Sequence, residues 1–274
     1  MSSSVILINH QPHATIIAIN RPERRNALNR ELVTALTNAF QAALTDQSRC
    51  LILTGTEKAF CAGMDLAELS ETLDKPDEAQ RVHEDAGRLS NLFELIYSHP
   101  KPTIAAVNGA AVAGGAGLVS VCDLAIADPG AKLGYPEVKR GLVAAMVMPH
   151  LLRLVGERAA RDLLLTGRLV DASEAFRMGF INEVVDANLT ANDEALGIKP
   201  ATSALDRALA IAKELGESSP NALTITKRLL AECRAGAAAN SGLARESADA
   251  RLHIEAKSGL KAFLDKKPVP WVKP

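Results

Sequence analysis

Two short glycine-rich stretches carry most of the chemistry that this sequence offers. The first is KAFCAGMDL over residues 58–66, and the second is GAAVAGGAGLVSVCD over residues 109–123. Each follows a run of strand-forming residues, and neither sets a nucleophile beside an obvious base. The GxGxxG spacing of a dinucleotide site is absent after both strands, and a P-loop would need the Gly-Lys-Ser/Thr that neither contains. A third use fits the residue types: two unpaired backbone N–H groups aimed at one carbonyl oxygen. Glycine lets the main chain approach a substrate closely, and a helix N-terminus adds its dipole. Gly114 and Gly115 would stand in the first turn of such a helix. The same glycines also suit tight packing of a helix on a strand.

The surrounding pattern supplies elements that can position these loops. ATIIAIN (14–20), CLILTG (50–55), KPTIAAVNG (101–109), DLAIAD (123–128) and INEVVD (181–186) read as strands, several of them continuous apolar runs of the kind buried in parallel sheets. Asn29 is placed to cap the helix RELVTALTNAFQAAL (30–44). An amphipathic helix is expected over 76–98, a short apolar one over 114–122, and helical patterns in PHLLRLVG and ERAARDLLLTG. Strands alternating with helices predict an α/β fold. The polar segment 190–202 reads as a linker, and residues 203–274 as helices without strand signal. The expected organisation is therefore a strand-rich core over 1–190 and a helical region over 203–274.

Bulk properties exclude several classes. Of 274 residues 47% are apolar, enough for a sizeable core. Thirty-one basic residues against 32 acidic ones give a net charge of −1, which argues against a nucleic-acid partner. No 18-residue apolar run suggests a membrane span, and MSSSVILINHQPH lacks the basic start and long apolar segment of a signal peptide. Cys50, Cys61, Cys122 and Cys233 are widely spaced, without CxxC or metal-ligand spacing, so free thiols in a cytoplasmic protein are expected. His150, after a proline in an apolar stretch, reads as a packing or surface residue.

Taken together, RPERRNALN (21–29), KAFCAGMDL (58–66), PTIAAVNGAAVAGGAGLVSVCDLAIA (102–127) and LGYPEVKRGL (133–142) resemble the crotonase, or enoyl-CoA hydratase/isomerase, superfamily. GLKAFLDKKPVPW (259–271) resembles that family's C-terminal end. The resemblance implies a crotonase-like spiral of ββα units followed by a C-terminal helical trimerisation domain, assembled as a trimer or a dimer of trimers. It implies an acyl-CoA thioester substrate and no metal or redox cofactor. Carried over by residue, the oxyanion donors are the backbone N–H groups of Met64, after Ala62 and Gly63, and of Gly114, with Gly115 beside it. Arg24, Arg25 and Ala27 match the nucleotide-binding turn, and Phe263 and Lys266 match residues that reach the CoA of a neighbouring subunit. Asp65 is expected to order the loop, Asp123 to end the short helix, and Met146, Met148 and the 68–95 helix to shape the acyl pocket.

The family's hydratases set two glutamates around the added water. At the first position this chain has Gly117; at the second it has Glu137. A lone carboxylate suffices to move a double bond by taking a proton from one carbon and returning it to another. The resemblance points both ways: family isomerases often keep only the second glutamate, yet a branch resembling methylglutaconyl-CoA hydratases also has glycine at the first position. Gly117 is expected one turn into the helix that begins at Gly114, facing the same cavity. On that expectation, Gly117→Glu would restore a second acid, conferring some hydratase activity on an isomerase but crowding and slowing a hydratase that already works with one glutamate. A non-catalytic acyl-CoA scaffold is the competing reading.

Overall fold

A computed structural model of the chain describes residues 4–72, 75–185, 202–234 and 241–272. Among these, the larger sheet has six strands in the order β1 (Ile6–His10), β2 (Ala14–Ile19), β3 (Cys50–Gly55), β5 (Thr103–Val107), β7 (Leu124–Ala127) and β10 (Glu183–Val184). All neighbours are parallel except the β1–β2 pair. The smaller sheet runs β4 (Ala59–Cys61), β6 (Ala110–Val112), β8 (Lys132–Gly134) and β9 (Leu169–Asp171), with only β8–β9 antiparallel.

Three successive turns of the chain, β3 to β4, β5 to β6 and β7 to β8, each lay one strand in the large sheet, bend sharply, and lay the next in the small one. The bends are stitched by side-chain amides. Asn108 accepts from the Gly55 N–H at 3.0 Å and donates to the Glu57 carbonyl at 2.9 Å. Asn26 donates to the carbonyls of Thr56 and Ala59 at 3.0 and 2.7 Å. The repeated passage produces the expected spiral of ββα units.

The continuous apolar runs are explained by two covered faces. Ile17, Ile19, Leu51, Leu53, Ala105 and Val107 point into the main core. That core also takes residues of α1 (Arg30–Ala42), α3 (Glu78–Tyr97), α4 (Gly114–Val121) and α5 (Met148–Thr166). The alternate residues Ala14, Ile16, Cys50, Ile52, Ile104 and Ala106 face the other way. They are covered by α7 (Ala204–Gly216) through its stripe Ala204, Ala208 and Ala212, spaced i, i+4, i+8. The first helix of the expected C-terminal region is thus a layer of the core itself. The linker expected over 190–202 lies outside the described residues except at Thr202.

Other expectations hold at element level. The Asn29 side chain accepts from the Leu32 N–H at 2.9 Å, as an N-cap should. Beyond α7 come α8 (Pro220–Arg234), α9 (Ser241–Leu252) and α10 (Ile254–Leu264). Asp123 does more than end α4: its carboxylate accepts from the Thr103 N–H and hydroxyl and from the Lys227 ammonium at 2.7 Å, tying α8 to the sheet. The four cysteines are free thiols. His150 packs edge-on against Tyr97, with ring centroids 5.1 Å apart.

Candidate active site

The nucleotide turn is built first, from residues 21–27. Arg25 and Asn26 both take left-handed backbone conformations, at φ 51° and 57°. Asn26 is fully buried, and its side chain also accepts from the Arg21 N–H at 2.8 Å, which over-determines the turn. The turn is then bonded to the first glycine loop. The Ala62 N–H donates to the Arg25 carbonyl at 3.0 Å, the Leu28 N–H to the Gly63 carbonyl at 2.7 Å, and the Asp65 N–H to the Leu28 carbonyl at 2.8 Å. That pattern is a one-residue parallel bridge between Leu28 and Met64. In such a bridge the flanking peptides make the bonds, so the N–H of Met64 turns to the opposite side.

The Gly114 N–H arrives at the same place from the second loop. Gly114 is the first residue of α4, whose leading N–H groups have no partner within the helix. Ala113 before it has φ 54° and ψ −122°, a conformation that side chains avoid, and is held by its N–H bond to the Gly134 carbonyl at 2.8 Å. Gly63, at φ +90°, lets the loops meet: a Cβ on it would lie 2.8 Å from the Val112 carbonyl oxygen and 3.5 Å from the Gly114 nitrogen. The two N–H groups therefore border one cavity of about 550 Å³, which Met64 and Gly114 both line.

Glu137 faces the same cavity from a short 3-10 turn, Pro136–Arg140. It is half-buried, and its Oε2 is buried without a hydrogen-bond partner among the described residues. Desolvation pushes its pKa above the ordinary carboxylate value, against opposing pulls from a backbone hydrogen bond and the Arg140 charge. The other cavity acids near the core are occupied. Asp65 pairs with Arg21 at 3.0 Å, and Asp85 pairs with Arg30. Burial alone would raise Asp65, but the Arg21 hydrogen bond and charge outweigh it and hold the carboxyl low. Asp65 thus orders the loop, as expected. Burial pushes the Cys61 thiol up to about 12, so it is no nucleophile at neutral pH.

Among the remaining expected site residues, Arg24, Arg25, Ala27 and Ala62 line the cavity. Met146 lines it too, but Met148 does not. The helical wall is confirmed by a stripe of α3 spaced 4, 3 and 4: Val82, Ala86, Leu89 and Phe93. Phe263 and Lys266 do not line this chain's cavity, and Phe263 is 78% exposed.

Three expectations need correction. Gly63 does not itself line the cavity; it serves the close approach of the two loops. Gly115 does not line the cavity; a Cβ there would fall 2.1 Å from the Cys61 carbonyl oxygen, so its glycine serves the packing of α4 on β4. Gly117 is indeed one turn into α4, but it does not face the cavity either. A Cβ on it would lie 2.6 Å from Val147 Cγ1 and 2.8 Å from Phe93 Cζ. Those two side chains fill the space that a residue-117 carboxylate would need. Arg21 and Asn26 were not singled out by sequence reasoning. The half-buried Asp65 takes its cation from Arg21, 44 residues earlier, and nothing local in the sequence marks that pairing.

A spiral of ββα turns that brings the two glycine loops and one desolvated carboxyl to a shared cavity is the architecture of a crotonase-type fold. The profile of the enoyl-CoA hydratase/isomerase family matches residues 11–274, and the chain belongs to that family. It is 42% identical to a Thermus thermophilus protein provisionally named an enoyl-CoA hydratase, over 93% of this chain and 96% of that one. It is 31% identical to the 2,3-dehydroadipyl-CoA hydratase of Escherichia coli, over 96% and 97%. The crystal structure of an enoyl-CoA hydratase from Bacillus anthracis superposes with a TM-score of 0.84 at 28% identity, covering 97% of this chain and 98% of that one.

Proposed function

We propose that the chain is a 2-enoyl-CoA hydratase that works with a single carboxylate. The observation that carries this reading is the buried Oε2 of Glu137, without a hydrogen-bond partner among the described residues, in the cavity bordered by Met64 and Gly114. The thioester carbonyl oxygen sits between the two N–H groups, which makes C3 of the conjugated double bond electrophilic. Glu137 takes a proton from water as the water oxygen bonds to C3. The π electrons move to the carbonyl oxygen as an enolate. Glu137 then returns its proton to C2 as the enolate collapses, so one water is added and the carboxylate is regenerated. Each donor to the developing oxyanion is worth roughly 3–4 kcal/mol. Arg24 and Arg25 at the cavity edge suit the anionic nucleotide of CoA, with Phe263 and Lys266 reaching it from a neighbouring copy.

The space closed at Gly117 favours a second reading, double-bond isomerisation of a 3-enoyl-CoA. There Glu137 takes a proton from C2 and delivers it to C4, and no second acid is needed to position water. Absorbance at the enoyl-thioester band distinguishes them: it falls with crotonyl-CoA if the chain hydrates and rises with a 3-enoyl-CoA if it isomerises. No change with any enoyl-CoA would reject both in favour of a binding scaffold.

Self-assembly through the C-terminal region belongs to the same reading. Leu252, Ile254, Leu260, Phe263 and Leu264 are each at least 60% exposed, an apolar surface that a partner copy would cover. Light scattering is expected to give three or six times the 29.0 kDa chain mass, and a uniform single-chain mass would refute it.

A further inference from the structure

We infer that Phe93, backed by Val147, closes the inner end of the acyl pocket and restricts the protein to short acyl groups. The inference rests on the acyl-CoA reading above and adds the size class of the acyl group.

The α3 stripe that walls the cavity is buried only at its inner end. Val82 is half-buried and Ala86 exposed, whereas Leu89 is 5% and Phe93 2% exposed. Leu89 stands over the oxyanion donor: its Cδ2 is 4.0 Å from where a Cβ of Gly114 would be. Phe93, one turn further along α3, stands over Gly117, nearly one turn further along α4. A thioester carbonyl held at Gly114 therefore has about one helical turn, roughly 5.4 Å, before its chain meets the Phe93 ring. That distance holds about four carbons of an extended chain. Val147, 4% exposed, supports the far side.

The chain is directed inward by what surrounds it. The inner walls are Leu89, Phe93, Met146 and Val147. The outer rim carries Asp85, joined to Arg30, and Arg140. An apolar chain gains by entering the former and loses nothing charged by leaving the latter to water. The absence of a side chain at 117 has the same cause, because the ring edge already occupies that volume.

Isothermal titration with saturated acyl-CoAs tests this without depending on turnover. Wild-type protein is expected to bind butyryl-CoA at least 10-fold more tightly than decanoyl-CoA, since mis-sized methylenes are commonly discriminated 10- to 200-fold. Phe93→Ala is expected to bring that ratio down at least 10-fold by strengthening decanoyl-CoA binding. Phe93→Leu, which keeps the core apolar and fills more of the space, is expected to move the ratio the same way by less, and decides the matter if Phe93→Ala does not fold. Equal binding of the two ligands by wild type, or an unchanged ratio in the folded Phe93→Leu variant, overturns the inference. Loss of enoyl-CoA turnover at every chain length, with length-selective binding intact, would instead overturn the catalytic reading and leave the pocket assignment standing.

Discussion

Glu137→Gln is expected to lower turnover of the enoyl-CoA substrate on the order of 10²- to 10⁴-fold while leaving acyl-CoA affinity within a few-fold of wild type. Gln keeps the shape and fills the same half-buried space, but it cannot exchange a proton at neutral pH. The pH dependence follows from the direction of the shift. Burial raises Glu137 above the ordinary carboxylate value, so the base form needed to start hydration is lost as pH falls through that raised pKa. Wild-type turnover should therefore fall on the acid side at a higher pH than an ordinary carboxylate would give. The same shift has a stability consequence of opposite sign. A carboxyl with a raised folded pKa binds more protons in the folded state, so stability declines as pH rises from the unfolded to the folded value. Glu137→Gln removes that penalty, and its melting temperature at pH 7 should exceed the wild-type value. The difference should shrink towards zero below the ordinary carboxylate range. Wild-type turnover in Glu137→Gln would refute the acid/base role. A lower melting temperature at pH 7 would refute the desolvated setting.

The sequence revealed the parts of the fold that are long or chemically marked. CLILTG and KPTIAAVNG run apolar on both faces because the α7 stripe covers one side of the large sheet and the main core the other. Asn29 announced the start of α1. The small sheet escaped notice because β4, β6, β8 and β9 have only three residues each, too few for any periodicity to register. β1 was missed for a related reason: it is an exposed edge strand whose residues are mostly not buried, so it lacks the apolar run. Met64, Gly114 and Glu137 were reached through resemblance, since glycine spacing alone suits packing equally well, as Gly115 demonstrates. What the glycine at 117 means was beyond local reading. Its environment is set by Phe93, 24 residues earlier, and Val147, 30 residues later, and only the packing of α3 and the 145–147 turn against α4 brings them together.

That packing bears on both outcomes expected for Gly117→Glu from the sequence. The added acid was expected to confer some hydratase activity on an isomerase, or to crowd and slow a hydratase that already works with one glutamate; in either case it was placed facing the cavity. In the structure even the Cβ would fall 2.6 Å from Val147 Cγ1 and 2.8 Å from Phe93 Cζ, distances that force both neighbours to move. Both neighbours are themselves nearly fully buried, so they have little room to yield. Overpacking of this kind costs about 1–3 kcal/mol for the first added methylene groups. The carboxylate that follows would be driven into an apolar enclosure, which adds a desolvation penalty or forces protonation. A total loss of about 3 kcal/mol or more is expected, lowering the melting temperature by roughly 6–12 °C for a chain of this size. Turnover should fall rather than rise, because displacing Phe93 disturbs Leu89 beside Gly114. Combining Gly117→Glu with Phe93→Ala empties the volume that the new side chain needs. The double variant should therefore be more stable than the sum of the two single losses predicts, with a coupling of about 1–3 kcal/mol in a double-mutant cycle. Strict additivity would mean that the Phe93 ring does not occupy the residue-117 space. A Gly117→Glu protein that melts with wild type and hydrates faster would mean that the site opens to that position in solution, and would return the second carboxylate to the mechanism.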